Sequence, residues 1–222
     1  MQFINIEGLD GSGKSTQIKL LTEYFKENQI PYKYLHFPRT DSPVYGELIA
    51  KFLRGDLGKM EEINPYLIAL IYAGDRFDAK ALIQEWLNEN YVVLIDRYVF
   101  SNIAFQCAKL ENSDDIEKLS DWIKYLEYQY HKIPRPDISL FLDVPIEFIR
   151  NNLTKKRSGE DREYLQGKED IHEKNISFQE KVREIYLKEV NKEKDFYLID
   201  CYDETNMIME PQVTMQKILK FI

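Results

Sequence analysis

Residues 2–16 read QFINIEGLDGSGKST, and the eight from Gly8 to Ser15, GLDGSGKS, satisfy the spacing G-x-x-x-x-G-K-[ST]. QFINI is a strand-like run, and the apolar positions Ile18, Leu21 and Phe25 that follow lie at helical spacing. A glycine-rich turn between a strand and a helix is the setting in which this motif cradles phosphate. Its glycines, Gly8, Gly11 and Gly13, let successive backbone amides curl around phosphate oxygens, and the helix N-terminus adds partial positive charge. Lys14 supplies a point charge to the β and γ phosphates, and the Ser15 hydroxyl is placed to ligate magnesium. Asp10, Ser12 and Thr16 complete the set expected around a nucleoside triphosphate.

The rest of the chain extends the same strand-and-helix alternation. After Pro31, YKYLHF reads as a second strand ending at Pro38, followed by a short helix over 43–54 that Gly55 breaks. Asn64 and Pro65 start a longer helix, expected to run to about Asn88. YVVLID (91–96), SLFLDV (139–144) and FYLID (196–200) are nearly continuous apolar runs, as strands covered on both faces of a parallel sheet should be. Five strands alternating with helices predict an α/β three-layer sandwich, a five-stranded parallel sheet flanked by helices. No repeat, low-complexity tract or linker divides the chain, so one domain over 1–222 is expected.

Composition bounds the partners. The 222 residues carry 38 acidic and 30 basic side chains, a formal charge of -8, which argues against a nucleic-acid-binding surface. With 44% hydrophobic and 31% charged residues the chain can bury a core. Cys107 and Cys201 are too few and too far apart for a disulfide framework or a four-thiolate zinc site, and read as free, buried thiols. No apolar run is long enough to cross a membrane, and Met1 leads straight into a strand-like stretch; a cytoplasmic protein is expected. His36, His131 and His172 show neither metal spacing nor a partner nucleophile, and are expected at the surface or in structural roles.

A switch GTPase would need a separate D-x-x-G and an N-K-x-D; the first is absent outside the loop, and NKEKD (191–195) has one residue too many and precedes a strand. Asp96 and Arg97 instead follow a buried strand, at the edge where open α/β sheets bind ligands. Asp96 can hold magnesium or its water shell, and Arg97 can fork onto phosphate oxygens.

IEGLDGSGKSTQ, HFPR (36–39), YAGDR (72–76), DRYVFSNIAFQ (96–106) and PRPDISLFLDVP (134–145) together resemble thymidylate kinase in order and spacing, over nearly the whole chain. The resemblance implies that Arg39, with Phe37 beside it, grips the phosphate of the acceptor nucleotide. It implies further that Tyr72 and Arg76, neighbours on one helical face, stack on a pyrimidine and donate to its O4, which selects thymine or uracil over cytosine. Ser101, Asn102, Phe105 and Gln106 share one turn; Asn102 is implied at the base edge, and Phe105 where bulk crowds the 2′ carbon of ribose. Asp10 resembles a carboxylate near the acceptor's 3′-hydroxyl. TKKRSGEDREYLQGK (154–168) corresponds to a lid, and since Gly11 and Ser12 leave the loop without an arginine, Arg157 and Arg162 are implied as the cations over the transferring group. Asp170 and Glu173 resemble a pair that steadies them, and Arg150 is the candidate to pack on adenine. A homodimer through helices between 43 and 90 is implied as well.

The implied reaction is transfer of the γ-phosphoryl of ATP to dTMP, giving dTDP and ADP, with Lys14, Arg97 and the lid arginines as catalytic groups. A phosphate acceptor is already ionised at neutral pH, so no general base is needed and catalysis reduces to alignment and charge neutralisation. A kinase acting on dUMP or on a deoxynucleoside is the nearest alternative; a deoxynucleoside acceptor would need a carboxylate base and would leave Arg39 badly placed. A non-catalytic nucleotide-binding module or assembly ATPase would keep GLDGSGKS but need none of Arg39, Arg76 or the lid.

Overall fold

β1 (Phe3–Gly8), β2 (Tyr32–His36), β3 (Val92–Asp96), β4 (Ile138–Asp143) and β5 (Phe196–Asp200) form one all-parallel sheet in the order β2-β3-β1-β4-β5. The computed structural model describes residues 2–153, 165–166, 170–172 and 175–222. Helices α1 (Lys14–Glu27), α2 (Tyr45–Leu53), α3 (Pro65–Asp78), α4 (Lys80–Asn88), α5 (Val99–Cys107), α6 (Ser113–Lys124), α7 (Ile146–Leu153), α8 (Ile176–Lys192) and α9 (Pro211–Ile218) flank it, as the alternation predicts.

The apolar runs are buried because both sheet faces are covered. Ile4, Ile6, Val93, Leu94, Ile95, Leu140, Phe141 and Leu142 are all within 1% of complete burial. The two edge strands are less covered: no residue of β2 is fully buried, and in β5 only Phe196 and Ile199 are, so the run 196–200 is not covered on both faces as its apolar character predicts. β1 lies at the centre, with β2 and β3 on one side and β4 and β5 on the other, so the chain winds outward in both directions from it. Ligands bind such sheets outside the strand carboxyl ends where the winding reverses. Register brings His36 and Ile6 opposite Asp96, and Gly8 opposite Leu142, so the first loop and the ends of β2 and β3 share one edge.

Two elements depart from the sequence expectation. The helix expected over 64–88 starts as foreseen, with the Asn64 side chain accepting from the Tyr66 amide at 2.9 Å and Pro65 in the first turn. It then breaks at Ala79 into α3 and α4. The Asp75 carbonyl accepts from Arg39 Nη2 at 2.9 Å, while the Ala79 amide reaches it at a long 3.3 Å; a side chain inserted into the helical ladder bends it there. The stretch 111–127, whose acidic side chains read as a solvated helical face, ends differently: α6 passes into a π-helical turn, Tyr125–Tyr130, in which Glu127 is completely buried.

Candidate active site

The first loop enters α1 through Gly13, at φ 85°, a left-handed conformation that glycine adopts without a Cβ penalty. The Lys14 and Ser15 amides precede the helical ladder, which opens with Thr16 and Gln17 donating to the Gly13 carbonyl at 3.1 and 3.2 Å. Lys14, almost fully buried, donates from Nζ to the Gly8 and Leu9 carbonyls at 3.4 and 3.2 Å. Burial, reinforced by the Arg97 charge, pushes its pKa down to about 8.

A cleft of about 1790 Å³ opens at this edge, larger than the ~300–1,000 Å³ usual for one small-molecule site. Its wall includes Asp10, Gly11, Ser12, Gly13, Lys14 and Ser15 from the loop, and Phe37 and Arg39 beyond β2. Tyr72 and Arg76 come from α3, Asp96 and Arg97 from the end of β3, and Ser101, Asn102 and Phe105 from α5. Two members of the expected set stand behind this wall, Gly8 within β1 and Thr16 on the exposed side of α1. Arg157, Arg162 and Glu173 lie outside the described residues. Arg150 is half exposed and pairs with Glu147 at 3.1 Å, away from the cleft wall. Asp170 is buried and does line the cleft.

The arginines of the cleft arrive already paired. Arg97 stands at φ 65°, a costly conformation for a residue with a side chain. It is held there by its amide bond to the Ile6 carbonyl, by Asp10 at 2.7 Å from Nη2 and by Ser101 at 3.1 Å from Nη1. Its guanidinium lies 5.0 Å from the Phe105 ring centroid. Burial works against ionisation of Asp10, but the charges of Arg97 and Lys14 outweigh it and hold the carboxyl below its usual range. Arg39 donates to Asp75 at 2.8 Å and to Asp78 at 2.7 Å. Arg76, 2% exposed, forks onto Glu127 through Nε at 2.5 Å and Nη2 at 2.7 Å.

Asp96 receives His36 Nδ1 on Oδ2 at 3.1 Å, and its Oδ1 is buried with no partner. Burial opposes its ionisation, yet the His36 hydrogen bond and Lys14 bring its pKa below the ordinary value. Among the described residues no group of three or more His, Cys, Asp or Glu side chains is placed to hold a metal by itself.

Sequence reasoning missed Glu7, Asp75, Asp78, Glu127, Gln179 and two of the histidines. Glu7 is fully buried and accepts from the Tyr98 and Ser101 amides at 2.9 and 3.2 Å and from the Tyr186 hydroxyl at 2.9 Å. It thereby caps α5, which has no cap of its own. A lone charge in an otherwise apolar strand was the available signal. His36 and His172 line the cleft, whereas His131 packs on Phe77. Cys107 and Cys201 are free and buried as expected, and burial pushes both thiols up to about 12.

His172 sits among the rings of Phe52, Phe105 and Phe178, with Nε2 unpartnered. Burial drives its pKa down to about 3. Between that value and about 6.5 the unfolded chain binds a proton that the native state refuses, so stability falls as pH drops through this window. His172→Phe should keep the packing and move the acid-unfolding midpoint, followed by circular dichroism, to lower pH; an unchanged midpoint would contradict the burial of a neutral imidazole.

The thymidylate kinase family model matches residues 6–210. Probable thymidylate kinases from Pyrobaculum aerophilum and Methanosphaera stadtmanae are 33% and 32% identical over 189 and 225 residues, spanning 84% and 99% of this chain and 82% and 98% of theirs. A solved structure of thymidylate kinase from Candida albicans shares the fold, with a TM-score of 0.73 over 100% of this chain and 90% of that one at 24% identity. The family model covers most of the length, and the two probable thymidylate kinases are more than 30% identical over most of theirs: the chain belongs to the thymidylate kinase family.

Proposed function

We infer that the protein transfers the γ-phosphoryl group of ATP to the 5′-phosphate of dTMP, giving dTDP and ADP. The observation that carries this reading is the single cleft in which the phosphate-cradling loop and the Arg39, Tyr72, Arg76 and Asn102 group share a wall, linked by Arg97. Lys14 and the loop amides bind the donor phosphates, Arg39 and Phe37 hold the acceptor phosphate, and Arg97 serves both. Tyr72 stacks on the base, Arg76 and Asn102 read its edge, and Phe105 fills the space a 2′-hydroxyl would need. Asp10 with Gln179, which donates to it at 3.2 Å, forms the sugar end. Arg157 and Arg162 complete the charge neutralisation over the transferring group.

Magnesium suits the residues present. Asp96 offers a buried oxygen without a partner and Ser15 an exposed hydroxyl, both hard donors, and this ion usually takes one or two protein ligands with substrate phosphates and water. When bound, it neutralises charge on the donor phosphates. The homodimer reading is supported by Leu67, Leu70 and Phe77, apolar side chains left 59%, 45% and 47% exposed on α3. Two reduced thiols suit a cytoplasmic setting, and no described helix is long and apolar enough to cross a membrane.

ADP release from ATP and magnesium, measured with dTMP, dUMP, dCMP and thymidine as acceptors, tests the reading. dTMP should stimulate release far above the rate with water, and a faster rate with dCMP or thymidine would overturn it. A second expectation follows from Lys14. Its charge is present below about pH 8 in the nucleotide-free protein, and a bound polyanion raises its pKa. ATP binding should therefore take up protons near pH 8 and weaken as pH rises through it. Calorimetry in two buffers of different ionisation enthalpy reads this uptake, and its absence would contradict the assignment.

A further inference from the structure

Asn102 donates both hydrogens of its side-chain amide to groups that can only accept. Nδ2 lies 3.0 Å from the Ala69 carbonyl and 3.0 Å from Glu127 Oε1. The amide orientation follows from those two neighbours, because neither can donate to Oδ1. Oδ1 is left buried and without a partner on a residue that lines the cleft. The same carboxylate takes Nε and Nη2 of Arg76, leaving Nη1 as the end of the fork that Glu127 does not engage. Glu127 itself comes from the π-helical turn Tyr125–Tyr130, a rare conformation often found at functional sites.

We infer that Glu127 is a positioning residue that sets base specificity: it holds Asn102 with its oxygen, and Arg76 with its remaining N–H groups, toward the base. This rests on the reading of the cleft as a dTMP site. One acceptor beside one donor complements thymine, whose N3–H donates and whose O4 accepts. Cytosine presents the reverse, an N4 amino donor opposite the Arg76 donor and an N3 lone pair opposite Asn102 Oδ1. Each mismatch leaves a buried polar group unpaired, which is the costly side of hydrogen-bond recognition. Uracil shares thymine's edge and is not excluded by this device. Glu127 touches neither nucleotide; it acts through the two side chains that do.

The test compares dTMP with 5-methyl-dCMP, which has the same methyl, sugar and phosphate but the reversed edge. Binding to the full chain without ATP, and kcat and KM for both acceptors, are measured for wild type, Glu127→Gln and Glu127→Asp. In Glu127→Gln an amide N–H can face Asn102 and allow it to turn over. The dTMP to 5-methyl-dCMP ratio of kcat/KM should then fall by ~tenfold or more, mainly through a higher KM for dTMP. Glu127→Asp keeps a charge for Arg76 but is too short to reach both partners. It should lower the ratio in the same direction with a smaller loss of Tm than the neutral variant, because a charge still faces Arg76, which covers the case in which the Gln variant does not fold. A folded variant that keeps the wild-type ratio, or loses both acceptors equally, overturns the inference alone. A wild-type protein that binds neither nucleotide overturns it together with the proposed function.

Discussion

Lys14→Ala should lower kcat by about 10²–10³ while leaving dTMP affinity for the nucleotide-free protein within about threefold, because its charge serves an anion that develops during transfer. Among the described residues Lys14 bonds to the Gly8 and Leu9 carbonyls alone, so removing it leaves the side chains of Arg39, Tyr72, Arg76 and Asn102 with their bonds unchanged. Arg97→Ala should show the same bias toward turnover, with an added cost. Its loss leaves Asp10 without its 2.7 Å partner, and alanine must occupy a left-handed backbone position, so part of the effect should appear as lower stability. Stopped-flow or quenched-flow rates set against calorimetric dTMP binding separate the two quantities. Equal losses in both would contradict the roles given to Lys14 and Arg97.

Gly46→Ala should produce the largest loss of stability for a change outside the cleft wall. Gly46 lies in the first turn of α2, where a Cβ would fall inside contact distance of the Arg39 carbonyl oxygen and 3.0 Å from the Thr40 carbonyl carbon. Backbone cannot swing aside as a side chain can, so α2 and the segment carrying Arg39 must separate. A cost of ~3 kcal/mol corresponds to a Tm lower by about 6–12 °C for a chain of this size. KM for dTMP should rise with it, since displacing Arg39 disturbs its bonds to Asp75 and Asp78. Gly74→Ala is the comparison: the added methyl meets the Tyr45 ring, a partly buried side chain and not backbone, and should cost less. Thermal melts and dTMP kinetics on both variants check the order, and a Gly46→Ala protein as stable as wild type would show that this packing is not tight.

What the sequence made legible was local. GLDGSGKS carries its own structural context, and the apolar runs 91–96 and 139–144 read as buried strands, so the sheet followed directly; the run 196–200 also forms a strand, but at the sheet edge with Tyr197 and Leu198 more than a third exposed. Arg39, Tyr72, Arg76 and Asn102, which the resemblance singles out, do share one cleft wall. The carboxylates that hold those side chains were not legible: Asp75 and Asp78 meet Arg39 across a gap of more than thirty-five residues, and Glu127 meets Arg76 across fifty-one. No periodicity encodes such a pairing. Glu127 sits in LEYQY, which reads as the end of an ordinary solvated helix until the π turn is seen to bury it. The break at Ala79 escaped for the same reason, since it depends on Arg39 reaching Asp75.

The net charge of -8 also reads differently against the cleft. Arg39, Arg76 and Arg97 are each matched to a carboxylate before any nucleotide arrives, so the site is ordered without being strongly positive. Among the described residues Lys14 bonds to the Gly8 and Leu9 carbonyls, and burial with the Arg97 charge brings its pKa down to about 8 although Asp96, Asp10 and Glu7 act the other way.

The most direct measurement follows the label from γ-³²P ATP in the presence of magnesium and dTMP. Label should appear in dTDP in step with ADP, with little inorganic phosphate. Label released as phosphate at a rate indifferent to dTMP would contradict phosphoryl transfer between two nucleotides in one cleft.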